Sequence, residues 1–269
     1  MRLRSGGPKP RKSGLARALS LCCIFTLLCT IAFTIWYHMT SGYTAVLKDS
    51  DVELIQLDEP KAGDPIVIMH TDAGDMTYRL FPDECPETVS SFKSLCESGY
   101  YDGTYVFRVQ KDIFFSAGSP EPDGSLPEGA SSTAAESILR ELSPKLWPLR
   151  GALCALTSKQ DAGFLRTLTG TQQYFTGSRF LVCDTIEMTD EIIEGLQSQT
   201  GENMKKIAEA FVERGGIPNY AQQISVFGQM IDGFDVLDAI TGAELTGEEN
   251  AMRPAKDIRI LSMEYTEFG

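Results

Sequence analysis

The stretch PIVIMHTDAGDMTYRLFPDECPETVSSFKSLCESGYYDGTYVFRV, residues 65–109, carries three local patterns in quick succession. Residues 65–71 and 76–81 are rich in apolar and β-branched side chains and flank the turn-forming Asp72-Ala73-Gly74-Asp75, so they read as a hairpin. Pro86 then opens a helix, with Glu87 in its first turn, Val89, Phe92, Leu95 and Cys96 at helical spacing, and Gly99 as the stop. Residues 105–109 return to a strand pattern, and alternation places Tyr105, Phe107 and Val109 on one face and Val106 and Arg108 on the other. No acid stands beside Arg108. Its role depends on what surrounds that second face.

Working outward, 118–135 is rich in Ser, Pro, Gly and Glu and reads as a long surface loop. Strand signals resume at 150–158 and 178–184. Residues 188–214 switch to a helical period, with Ile192, Ile193 and Leu196, then Met204, Ile207, Ala208, Phe211 and Val212 on apolar faces, and predict two helices broken near Thr200-Gly201. A strand at 224–231, a short helix at 234–240 and a strand at 257–265 complete the chain. Many strands with few helices predict a mainly β fold, an antiparallel barrel or sandwich with capping helices.

The N-terminus has a different composition. Residues 1–17 hold six cations (Arg2, Arg4, Lys9, Arg11, Lys12, Arg17) and no acid. Residues 18–37 carry no charge and reach roughly 30 Å as a helix, the thickness of a bilayer core, and Trp36, Tyr37 and His38 follow where an interfacial belt belongs. The expectation is a basic cytoplasmic tail over 1–17, a transmembrane signal-anchor over 18–38, and an extracytoplasmic remainder. A cleaved signal peptide is the competing reading, but the apolar run exceeds a usual h-region and no A-x-A site follows. Residues 39–63 read as a polar linker in which Val52 to Leu57 could add a strand.

Setting the six tail cations aside leaves 18 Lys+Arg against 37 Asp+Glu, a net −19, which argues against nucleic acid as a partner. With only His38 and His70 and no C-x-x-C, neither a metal site, a cofactor site nor histidine-based triad chemistry is expected. No G-x-S-x-G is present, and hydrolysis is set aside. Cys85, Cys96, Cys154 and Cys183 read as buried free thiols in preference to disulfides. The oligomeric state is not legible.

In order, the motifs resemble the cyclophilin-type peptidyl-prolyl isomerases. Residues 66–109 are similar to that family's opening strand pair, its Pro-x-Thr-Val-x-x-Phe helix, its Gly-Tyr-Tyr-Asp-Gly-Thr turn and its Phe-His-Arg-Val strand. WPLRGALCAL, GSRFLVC and VFGQMIDGFDVLDAI resemble three later family motifs. The resemblance covers about 64–265 and places the domain at 64–266. It implies a closed eight-stranded antiparallel β-barrel with capping helices, a helical insertion at about 188–214, no cofactor, and proline-containing polypeptides as substrates.

Rotation about an X-Pro bond needs no nucleophile or metal. It needs an apolar cup for the ring and a donor aimed at the proline nitrogen, whose lone pair becomes available only in the twisted amide. By position, the resemblance makes Arg108 the catalytic residue. It carries the groove onto Ile113, Phe114 and Ser116, where the family has Phe, Met and Gln, and onto Leu156 and Thr157, where it has Ala-Asn. Arg179 stands for a Gln and Leu181 for an aromatic, while a variable Trp, His or Leu falls near Asn219 or Tyr220 and a late His near Ile224. The arginine is kept while its partners change, so weakened or differently selective isomerisation is expected. A tethered proline-peptide-binding module without turnover is the alternative.

Overall fold

In the computed structural model, which describes residues 47–126, 137–159, 174–246 and 252–269, the opening hairpin pairs β1 (Pro65–Thr71) with β2 (Gly74–Leu80). Val67, Met69, Met76 and Tyr78 are fully buried, so two-residue alternation sends one face of the hairpin into the core. The turn is tighter than the sequence pattern suggests. Thr71 Oγ1 donates to the Gly74 carbonyl and accepts from the Ala73 N–H, which starts β2 at Gly74 and not at Met76.

The remaining strands are β3 (Tyr105–Gln110), β4 (Phe114–Ser119), β5 (Ile138–Leu139), β6 (Ala152–Lys159), β7 (Tyr174–Cys183), β8 (Ser225–Asp232) and β9 (Ile260–Glu267). They form one curled antiparallel sheet in the order β3-β4-β7-β6-β8-β2-β1-β9, with β5 paired to β7. Two features correct the expected closed eight-stranded barrel. A ninth, two-residue strand is present, and the sheet ends meet through single bonds instead of a ladder. Gly103 N–H donates to Ile260 O, Ile260 N–H to Thr104 O and Val106 N–H to Ile258 O, at 2.8, 2.9 and 2.9 Å. Beside the rest of β3 runs a segment containing Pro254, which has no N–H to offer a ladder; there Val109 N–H bonds Met252 O at 2.6 Å.

Helix α1 (Pro86–Glu97) buries Thr88, Val89, Phe92, Leu95 and Cys96, the face its spacing predicts. The Phe92 ring lies 5.3, 6.1 and 5.1 Å from the rings of Tyr101, Phe180 and Phe227. Its N-terminus lacks a cap from Cys85, and a distant side chain, Glu141, serves instead. Helices α2 (Asp190–Gln197) and α3 (Glu202–Arg214) realise the expected pair, with Gly201 between them at φ +104. Helix α4 (Phe234–Thr241) lays Val236, Leu237 and Ile240 on the main core.

Residues 47–63 do not behave as a free linker. Val52 is fully buried in a second cluster with Trp147, Leu149, Ile207, Ala210 and Phe211, and no strand forms over Val52 to Leu57. Gln56 is buried: its amide nitrogen donates to Trp147 O at 2.8 Å and to Gln229 Oε1 at 3.0 Å, and its oxygen accepts from Trp147 N–H. Asp49 accepts from the N–H groups of Asn203 and Met204 at 3.3 and 2.9 Å, capping the start of α3. These bonds satisfy the Gln56 amide and the Asp49 carboxylate within the domain, where a connector lying free of it would leave them to solvent.

The four cysteines outside 18–38 are free and buried, and Cys154 Sγ stands 3.7 Å from Cys183 Sγ, within reach of an S–H hydrogen bond and too far for a disulfide. The expected tail, transmembrane helix and remaining linker, 1–46, lie outside the described residues. Among the described residues no helix is long and apolar enough to cross a membrane.

Candidate functional site

Arg108 is placed by two irregularities that simple alternation does not contain. Along the β3–β4 pair, Tyr105 faces Ser119, Val106 faces Ala117 and Arg108 faces Ser116. Gly118 is the extra residue of β4 and Phe107 that of β3. The bulge lets Val106 and Val109 both enter the core, 3% and 0% exposed, while Arg108 between them turns outward. Val106 therefore does not share a face with Arg108, contrary to the alternating reading.

Outward of β3, Arg108 meets the wall of a cavity of about 310 Å³. Ser116 lies opposite Arg108 in register and Leu181 lies opposite Ser116, so β3, β4 and β7 present the three in one row. Phe114, Leu156, Thr157, Tyr220 and Ile224 complete the expected part of the lining. The Arg108 guanidinium carbon stands 5.4 Å from the Phe114 ring centroid, and Nε donates to Met252 Sδ at 3.1 Å. Among the described residues its terminal nitrogens make no hydrogen bond and no carboxylate pairs with it. Phe114 and Tyr220, with ring centroids 6.5 Å apart, form an aromatic wall that offsets the loss of an aromatic at Leu181.

Two expected site residues stand elsewhere. Ile113, in the β3–β4 turn, packs against the main core, and its carbonyl accepts from Asp184 N–H. Arg179, which the resemblance places in the groove, donates from Nη1 to Gly124 O at 2.7 Å and holds the loop after β4. Neither lines the cavity.

The second cation there is Arg140, which the sequence reading missed together with Tyr174 and Gln223. Arg140 follows a two-residue strand, too short to show a period, on the far side of a polar loop. Tyr174 opens β7 four residues before the strand expected at 178; the aromatic pair Tyr174-Phe175 was the signal that could have extended it. The cavity thus has an apolar wall of Phe114, Leu156, Leu181 and Ile224, two guanidinium groups, and neutral polar atoms of Ser116, Thr157, Tyr220 and Gln223. Among the described residues no group of three or more His, Cys, Asp and Glu side chains is placed to hold a metal ion. Such a site can seat a small apolar ring and donate hydrogen bonds to amide atoms beside it; its described lining holds no Asp, Glu or His.

Residues 66–265 match the family model described as cyclophilin type peptidyl-prolyl cis-trans isomerase/CLD. A Staphylococcus saprophyticus protein with the provisional name peptidyl-prolyl cis-trans isomerase is 32% identical over 201 residues, covering 75% of this chain and 91% of that protein. A Streptococcus pyogenes protein provisionally named as a bifunctional phosphatase/peptidyl-prolyl cis-trans isomerase is 34% identical over 220 residues, and the chain spans 42% of that longer protein. A solved cyclophilin type isomerase of Cryptosporidium parvum superposes with a TM-score of 0.54 at 20% identity, covering 77% of this chain and 99% of its own. The same protein solved in the presence of the dipeptide Ala-Pro gives 0.52 at 21% identity, covering 74% of this chain and 96% of its own.

Proposed function

From the premise that the chain belongs to the cyclophilin-type peptidyl-prolyl cis-trans isomerases, and is an isomerase of that kind, we propose that Arg108 is its catalytic donor and that its substrates are X-Pro segments of extracytoplasmic polypeptides. The observation that carries this reading is the bulge at Phe107, which delivers to the rim of an apolar cup an arginine that has no acid partner among the described residues.

An X-Pro bond prefers trans by only about 0.5–1 kcal/mol, yet rotation faces a barrier of roughly 18–20 kcal/mol from amide resonance. As the bond twists, the nitrogen lone pair localises and becomes an acceptor. A proline ring seated between Phe114, Leu181 and Tyr220 would bring that nitrogen toward the terminal nitrogens of Arg108. A donor that bonds the twisted amide and not the planar one lowers the barrier selectively. Guanidinium fits the task because it stays charged across the working pH range. Holding Nε on Met252 and the face on Phe114 limits how far the group must reorganise.

Extracytoplasmic action rests on the sequence of 1–38, with its six cations ahead of an uncharged stretch of membrane-spanning length. In that location a prolyl isomerase assists the folding of exported chains, whose proline steps take tens of seconds unaided. The provisional isomerase names of the relatives weigh against a binding module without turnover.

The test is the relaxation of an X-Pro peptide from cis to trans, measured with the full chain and with Arg108→Ala. Acceleration by the native chain that falls about 10²–10³-fold in the variant supports the assignment; an undiminished rate in a folded variant removes Arg108 from the mechanism. For the topology, protease added to intact cells should degrade the domain and spare the N-terminal tail.

A further inference from the structure

We propose that Arg140 makes the cavity selective for proline segments that carry a carboxylate side chain within a residue or two of the proline. The inference deepens the isomerase reading of the same cavity and rests on it.

Arg140 is held from three directions. Its N–H donates to Tyr174 O at 2.9 Å, its guanidinium carbon stands 4.3 Å from the centroid of the Tyr174 ring, and Nη1 donates to Gln223 O at 2.7 Å. Pairing of Ile138 with Thr176 and Leu139 with Phe175 fixes the backbone just before it. A guanidinium restrained in this way loses little further freedom when it grips a ligand.

The nearest acid in sequence cannot neutralise it. The Glu141 carboxylate is turned to the N-terminus of α1, where it accepts from Glu87 N–H, Thr88 N–H and Thr88 Oγ1–H at 3.2, 2.8 and 2.7 Å. Three other arginines have carboxylate partners: Arg79 has Asp64, Arg150 has Asp184, and Arg253 has Asp257. Around the cavity the described lining holds Arg108 and Arg140 and no Asp or Glu. In a chain of net charge −13 this is a local reversal of sign. Apolar walls strengthen the field of both cations inside the cleft.

The two arginines divide the work. Arg108 faces the row made by Ser116 and Leu181, whereas Arg140 rises from β5 beside the start of β7. With one terminal nitrogen used on Gln223, the Arg140 fork retains donors for a carboxylate oxygen. A proline segment lying in the cup would then extend toward Arg140, where Asp or Glu gains an ion pair that Asn or Gln lacks.

The experiment uses the full chain and peptides with one X-Pro bond, in which Glu, Gln or Lys is placed in turn two before, one before and one after the proline. At one of these positions kcat/KM for Glu should exceed that for Gln by about three- to tenfold, with Lys lowest. That ratio, whatever the absolute rate, should fall to about 1 in Arg140→Gln, survive in Arg140→Lys, and shrink in the native chain as salt rises, because screening shortens to about 3 Å at 1 M. Turnover of the Gln peptides with a Glu-to-Gln ratio near 1 at every position overturns the selectivity and leaves the isomerase reading intact. So does a ratio that Arg140→Gln or salt leaves unchanged. No acceleration of any peptide by the folded native chain overturns both.

Discussion

A guanidinium works in the cavity only if it keeps donors free for a ligand, and Arg108 does so because its Nε binds a sulfur and its face lies on a ring, neither of which uses the terminal nitrogens. Arg108→Lys should therefore recover little of the rate lost in Arg108→Ala: a lysine presents a mobile point charge in place of a fork fixed on Phe114. Stopped-flow peptide relaxation checks this, and near-native turnover in the lysine variant would show that charge alone suffices. The buried thiols follow a different rule. Burial first, with Glu141 and Glu84 for Cys85 and with Glu97 for Cys96, pushes both thiols up to about 12. They should resist iodoacetamide at pH 8 in the folded protein and react promptly in urea.

Among the elements, β4 owes its kink to Gly118, which sits at φ +89 with its Cα facing the Ser178 carbonyl. A methyl group there would come within 2.8 Å of that oxygen and 3.0 Å of the Phe180 and Tyr101 rings. Gly118→Ala should cost at least about 1–3 kcal/mol from the backbone conformation alone, read as a lower urea midpoint. It should also depress turnover, since the compensating bulge at Phe107 that aims Arg108 depends on the same register. The sequence made α1, the opening hairpin and the 188–214 helices legible because each shows its own period within one element. The bulge was not legible: two compensating extra residues on neighbouring strands leave no periodic trace in either. Arg140 escaped notice because the two-residue strand before it is too short to show a period, whereas motif order named Arg108, Phe114, Leu156 and Leu181, which line the cavity. Arg179 was misplaced because a motif gives a position along a strand and not the direction in which a long side chain leaves it.

For the molecule as a whole, alkaline pH should be the destabilising direction. Cys85 and Cys96 rise from 9.0 to about 12 on folding, and burial also raises Tyr78 and Tyr101. Above pH 9 the unfolded chain releases protons that the folded chain keeps, so the stabilisation is complete below 9 and is lost progressively toward 12. Urea midpoints at pH 8 and 10.5 should differ in that sense; equal midpoints would show that these groups ionise freely in the fold. The second cluster gives another expectation. A fragment beginning at Asp64 lacks Val52 and Gln56, exposes Trp147, and should be less stable than one beginning at Leu47 by about 2–5 kcal/mol, with α2 and α3 the first to exchange their amide hydrogens.

The way 47–57 is fastened also has a mechanical consequence. Tension applied to the chain ahead of Leu47 reaches Asp49 on α3, then Val52 and Gln56 against Trp147, before it can reach β1 at Pro65. Those contacts act as a fuse in series: a pull on the N-terminus would strip the segment and loosen the helical pair while the sheet that carries Arg108 stayed folded.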